Sequence, residues 1–169
     1  MRSRFHRRSL RALASALALL AAAPAFAAPS TSAPATPSDP IVNLINDARA
    51  GKGREPLQPL PASLAIANSA YAELVLRRLI ANGSCDHDLQ AWQTFQARSA
   101  AGRLRPVSEV LGCPVPSGRW DPKRVLSLWL KSSHHSTILL NRPRTSHAGC
   151  VQLSEAGRTG ALCTFWVPQ

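Results

Sequence analysis

Residues 145–167 read TSHAGCVQLSEAGRTGALCTFWV. The fold class turns on this stretch, because here the hydrophobic pattern leaves the helical period and becomes extended. Cys150-Val151-Gln152-Leu153 and Ala161 to Val167 flank a glycine-bearing turn at Ala156-Gly157, which predicts a β-hairpin. Upstream the period is mostly helical. Asp39-Pro40 places a capping carboxylate before a proline at the first helical position, and Ile41, Leu44, Ile45 and Ala48 follow at helical spacing up to Gly51 and Gly53. A longer helix is predicted from near Pro61 and Ser63, through Leu64, Ala67, Tyr71, Leu74 and Val75, to Asn82-Gly83. Leu89 to Ala101, with Trp92 and Phe95, reads as a third helix, and Pro106 to Leu111 as a short extended segment. Asp121-Pro122 repeats the helix start ahead of an apolar face of Val125, Leu126, Leu128 and Trp129. Ile138-Leu139-Leu140 reads as an apolar turn closed by Asn141 and Pro143. Helices first and a hairpin last predict an α+β fold with an antiparallel sheet.

The N-terminus carries a different signal. Arg2, Arg4, Arg7, Arg8 and Arg11 precede an apolar run from Ala12 to Ala23, and Ala25-Phe26-Ala27 is a small-x-small cleavage site. Residues 1–27 are therefore expected to be a secretory signal peptide, with a weak twin-arginine character at Arg7-Arg8. The run is too short to span a bilayer comfortably, so no membrane span is expected after cleavage. Residues 28–39 (APSTSAPATPSD) hold almost no large apolar side chain and are expected to be a disordered linker. One domain over residues 40–169 remains, long enough for a single core. Five of the 20 Lys and Arg residues lie in the first 11 positions, and none of the 9 acidic residues does, so the rest of the chain carries +6 rather than +11. That excess is spread out, with no basic-aromatic motif, and a nucleic-acid partner is not expected.

The four cysteines, Cys85, Cys113, Cys150 and Cys163, form an even set in a chain with an export signal and read as two disulfides. Three pairings are open. Cys150 and Cys163 are equidistant from a turn centred between Ala156 and Gly157, which makes them cross-strand neighbours in a symmetric hairpin. Cys85–Cys113 then follows by elimination.

Several short motifs stand in order along the domain. They are Asn43-x-x-Asn46-x-x-Arg49, the Leu57 loop, a long alanine-rich helix leading to His87, Ser108-Glu109, Trp129-Leu130-Lys131-Ser132-Ser133-His134-His135, Leu139-Leu140-Asn141, His147-Ala148-Gly149 and Phe165-Trp166-Val167. Together they resemble the CAP domain family: the cysteine-rich secretory proteins, antigen 5 and the plant pathogenesis-related proteins, with many exported bacterial members. The resemblance implies a three-layer α-β-α sandwich with a central antiparallel sheet. It implies a cleft whose histidines fall on His87 and His135 and whose glutamate falls on Glu109. Val110 stands where the family has Asn, and Ser132 stands where animal and plant members place a second Glu. The Cys85–Cys113 bridge would tie together the segments carrying His87 and Glu109.

Two neutral imidazoles and a carboxylate suit a divalent metal such as zinc, with His87 and His135 as its ligands. They suit acid–base chemistry equally, because histidine titrates near neutrality and a carboxylate fixes its tautomer. His134 and His135 are adjacent, so on a helix they point ~100° apart and one of them faces the cleft. The family's spacing from Trp129, carried over by the resemblance, selects His135, and His147, at a strand start, reads as structural. The resulting expectation is a secreted or periplasmic monomer whose cleft binds a lipid, a cell-wall component or a partner protein. The alternative is a metal- or His/Glu-assisted extracellular hydrolase.

Overall fold

The structure, a computed structural model, describes residues 39–169. The expected signal peptide (1–27) and all of the expected linker except Asp39 lie outside the described residues.

Helix α1 (Pro40–Ala50) begins where the sequence says it should. The Asp39 carboxylate accepts from the backbone N–H groups of Ile41 (3.0 Å) and Val42 (3.2 Å), and Gly51 ends the helix. Strand β1 is two residues, Gln58–Pro59. Helix α2 (Ala62–Asn82) closes at Gly83, whose φ of 65° is the left-handed conformation that glycine adopts without a Cβ clash. Helix α3 spans Leu89–Ser99, strand β2 Leu104–Pro116 and helix α4 Pro122–Lys131, the last capped by Asp121. One helical turn, α5 (Ser133–Ser136), runs into a π-helical turn over Thr137–Asn141. Strands β3 (His147–Glu155) and β4 (Arg158–Pro168) form the terminal hairpin.

The sheet order is β1-β3-β4-β2. The three long strands are antiparallel, and the short β1 joins β3 in parallel, so the sheet is mixed at that margin. Glu155 pairs with Arg158 across a two-residue turn, and both turn residues, Ala156 (φ 49°) and Gly157 (φ 70°), have the positive φ of a tight hairpin that follows strand twist.

Two apolar layers cover the central strand β4. Ala161, Cys163 and Phe165 pack with α1, α4 and the π-turn. Leu162 and Trp166 face α2 and α3. A strand buried on both faces needs a helical layer on each, and that is the three-layer α-β-α arrangement. Helix α2 and the segment leading into it pass β3 so closely at Gly149 that a Cβ there would stand 2.6 Å from Leu60 Cδ1 and 2.8 Å from Asn68 Nδ2.

Three local expectations are corrected. The extended segment expected over Pro106 to Leu111 is the middle of a 13-residue strand. Its prolines do not end it, because β2 is an edge strand and an edge position tolerates a missing N–H. Irregularities lie between Pro106 and Ser108 and between Gly112 and Val115. Leu128 is 58% exposed, and α4 instead buries Leu126 and Trp129. The apolar turn at Ile138-Leu139-Leu140 is helical, and all three side chains are buried.

Candidate functional site

Cys150 pairs with Cys163 as the hairpin symmetry suggested and Cys85 with Cys113 as elimination required, and no free cysteine remains. Cys150 and Cys163 are direct cross-strand partners. The Cys85–Cys113 bridge pins the α2–α3 loop to the edge strand β2. His87 lies two residues from one end of this bridge and Glu109 four residues from the other.

Those two side chains meet. His87 Nδ1 lies 2.6 Å from Glu109 Oε1. A carboxylate only accepts, so Nδ1 carries the proton and Nε2 is the nitrogen left for other chemistry. The His87 side chain is 41% exposed and that of Glu109 is 5% exposed, so the pair presents an imidazole to solvent from a buried carboxylate. The other oxygen of Glu109 is held from below. Tyr71, on α2, donates its hydroxyl to Glu109 Oε2 at 2.5 Å. The Tyr71 ring stacks on Phe95 of α3 with centroids 4.2 Å apart. The sequence marks Tyr71 only as a core residue of α2. A buried tyrosine needs a partner for its hydroxyl, and that requirement is the one available hint of a polar role.

His135 arrives from the other layer. Its backbone N–H donates to Ser132 Oγ at 3.4 Å, one turn after α4 ends. Its ring centroid is 5.8 Å from that of His134. Among the described residues its imidazole makes no hydrogen bond to His87 or Glu109. His147 bonds to Ser146 Oγ at 2.8 Å at the start of β3.

The two imidazoles are biased in opposite directions. The hydrogen bond to Glu109 raises the pKa of His87, burial opposes this, and the charges of Glu109 and Asp86 add to the rise. Burial lowers the pKa of His135, and the charges of His134 and His87 lower it further. Burial, then the Glu109 bond and charge, push the Tyr71 hydroxyl far above its ordinary value, so it stays a donor. The environment of His87 thus favours its protonated form relative to a free imidazole, and that of His135 its neutral form. Groups whose environments push their pKa values apart are suited to acid and base roles.

The donor set does not fit a resident metal. Both Glu109 oxygens and His87 Nδ1 are engaged, Ser132 offers no carboxylate, and two imidazole nitrogens fall short of the three or four protein ligands zinc takes. Among the described residues no group of three or more His, Cys, Asp or Glu side chains is placed to hold a metal ion. A cavity of about 830 Å³ lies between α1, the start of α2 and β3 and includes none of His87, Glu109 and His135. Another, of about 580 Å³ between α2 and α3, touches the cluster through Tyr71. The paired titratable groups carry the chemistry of the site.

No family model matches the chain, and no curated protein matches it. Among solved structures, an outer surface protein from Borrelia burgdorferi is similar, with a TM-score of 0.58 and 17% sequence identity over 76% of this chain and 90% of that one. At that identity the likeness concerns the fold alone. Among the described residues no helix is long and apolar enough to cross a membrane.

Proposed function

We propose that this chain is an exported protein of the CAP type, and that its His87–Glu109–His135 surface binds an anionic or hydrogen-bonding group of a lipid, a cell-wall component or a partner protein. The observation that carries this reading is the chain of contacts Tyr71–Glu109–His87, which fixes a solvent-facing imidazole on a buried carboxylate. A buried carboxylate bonded on both oxygens holds the imidazole in one orientation, with Nε2 outward and the cationic form favoured. Two disulfides support maturation in an oxidising compartment, secreted or periplasmic. The motif order from Asn43 to Val167 supports the family, and the three-layer architecture agrees with it.

Co-sedimentation tests the reading, with insoluble peptidoglycan and with vesicles containing an anionic lipid run side by side. Binding by the wild type that is lost in both His87→Ala and His135→Ala supports a shared site and identifies its ligand class. Binding that survives both substitutions would sink the reading.

One observation favours a second reading, a His/Glu-assisted hydrolase. The opposite biases of His87 and His135 would let His87 donate a proton while a neutral His135 accepts one. Hydrolysis of a cell-wall fragment with a bell-shaped pH profile, its two limbs removed separately by the two substitutions, would establish it. A flat profile at the level of buffer would exclude it for that substrate.

A further inference from the structure

Arg49 is a buried cation with no carboxylate bonded to it among the described residues. Its residue is 6% exposed, and its guanidinium bonds carbonyl oxygens: Nε donates to Glu55 O at 2.8 Å and Nη1 to Leu139 O at 2.7 Å. Burial and the charge of Arg54 both disfavour that cation. A charge kept in such a place is compensated by the carbonyls it meets, and Leu139 O belongs to the last turn of the helical run that carries His135. The final carbonyls of a helix lack partners within it and carry its negative end, so a cation is favoured there. The same loop grips the turn again, where Arg54 Nη2 donates to Asn141 Oδ1 at 2.9 Å.

The turn so held is π-helical over Thr137–Asn141. A π-turn carries an extra residue, so reverting it to ordinary α-helix would change the phase between its two sides by roughly 100°. Ile138, Leu139 and Leu140 are locked in the core. A lost π-turn would therefore express its rotation on the upstream side, where His135 is tethered by Ser132 Oγ.

We propose that Arg49 is a positioning residue for His135: by holding Leu139 O it locks the π-turn, and the π-turn sets the rotation of His135 about the helix axis. This extends the proposed site, since it gives the Asn43-x-x-Asn46-x-x-Arg49 motif a task at a distance. Asn46 serves the same end by bonding Leu57 both ways, Nδ2 to Leu57 O at 3.0 Å and Leu57 N to Oδ1 at 2.8 Å, which fixes the loop that Arg49 spans.

The test compares Arg49→Lys and Arg49→Met with the wild type by NMR at one fixed pH. It follows the ring signals of His135, with those of His87 as the internal reference, and amide exchange at Leu139 to Asn141. Losing one buried bond should speed local exchange roughly 10-fold. The His135 ring signals should move while those of His87 stay, with Arg49→Lys nearer the wild type than Arg49→Met. If Arg49→Met does not fold, Arg49→Lys carries the comparison, because it keeps the charge and the stem. Faster exchange with unmoved His135 signals would overturn the proposal, as would equal movement at His87 and His135. Neither result depends on ligand binding, so failure here is separable from failure of the site, which the His87→Ala and His135→Ala co-sedimentation reports.

Discussion

Replacing Tyr71 by Phe removes one atom from the candidate site and little else. The ring of Tyr71 is 6% exposed and stacked on Phe95, and a phenylalanine keeps that packing. What it loses is the donor to Glu109 Oε2, and Glu109 is itself 7% exposed. A hydrogen bond to a charged group contributes about 1.5–3 kcal/mol, and an orphaned buried acceptor costs in the same range. We therefore expect Tyr71→Phe to destabilise the domain by about 2 kcal/mol. With a urea dependence of about 2 kcal/mol per molar, typical of a domain of this size, the midpoint should fall by about 1 M. The cost should be smaller in a Glu109→Gln background, where the charged acceptor is already gone, and the difference is the coupling of the pair. The assay is urea unfolding of the oxidised protein, followed by fluorescence, for the four members of the cycle. A midpoint shift under about 0.25 M, or the same cost in both backgrounds, would refute the idea that Tyr71 holds Glu109 as a carboxylate partner.

Glu109→Gln should lower the pKa of His87, because it removes the bond that raises it and leaves burial, which acts the other way; NMR titration of the ring measures this. His87 has a folded pKa above its ordinary 6.5, so the stability it contributes is full below that value and is lost as pH rises through the folded pKa. The wild type's advantage over Glu109→Gln should shrink across that window, and an advantage independent of pH would deny the link. His135, shifted down, has the opposite sign: its contribution is lost as pH falls from 6.5, and His135→Gln should flatten that limb. The Cys85–Cys113 bridge spans a separation of 28 residues and Cys150–Cys163 one of 13, so opening them as serine pairs should cost about 3.5 and about 3 kcal/mol by chain entropy. Urea midpoints check the order. Trp129 is 3% exposed and its Nε1 donates to Leu111 O at 2.8 Å, so Trp129→Ala should cost about 3–5 kcal/mol in unfolding experiments. An unchanged melting temperature with lost ligand binding would move Trp129 from the core to the site.

The candidate site was legible in part. Motif order marked His87, Glu109 and His135, and the sequence placed a disulfide beside the first two. The direct bond between His87 and Glu109, the hydroxyl of Tyr71 beneath it and the opposite bias of the two imidazoles were not legible. Each depends on groups 22 or more residues apart being brought together by the packing of the fold. Arg49 was visible as a motif position, but its bond to Leu139 spans 90 residues and nothing local announces it.

The sequence by itself determined the features whose physics is local. Asp39 and Asp121 capped the helices they were expected to cap, Gly83 closed α2, and hairpin symmetry paired Cys150 with Cys163. Each of these depends on neighbours within a few residues or on one short loop, so the order of residues contains the whole cause. The tertiary structure alone decided the length of β2, the exposure of Leu128, the π-turn and the Tyr71–Glu109–His87 contact. A proline is compatible with the interior of a strand only at an edge or a bulge, and a leucine is buried only if a neighbour covers its side of the helix. A carboxylate is held on both oxygens only if two distant donors are brought to it. Those conditions are set by which surfaces pack together, and periodicity along the chain does not carry that information.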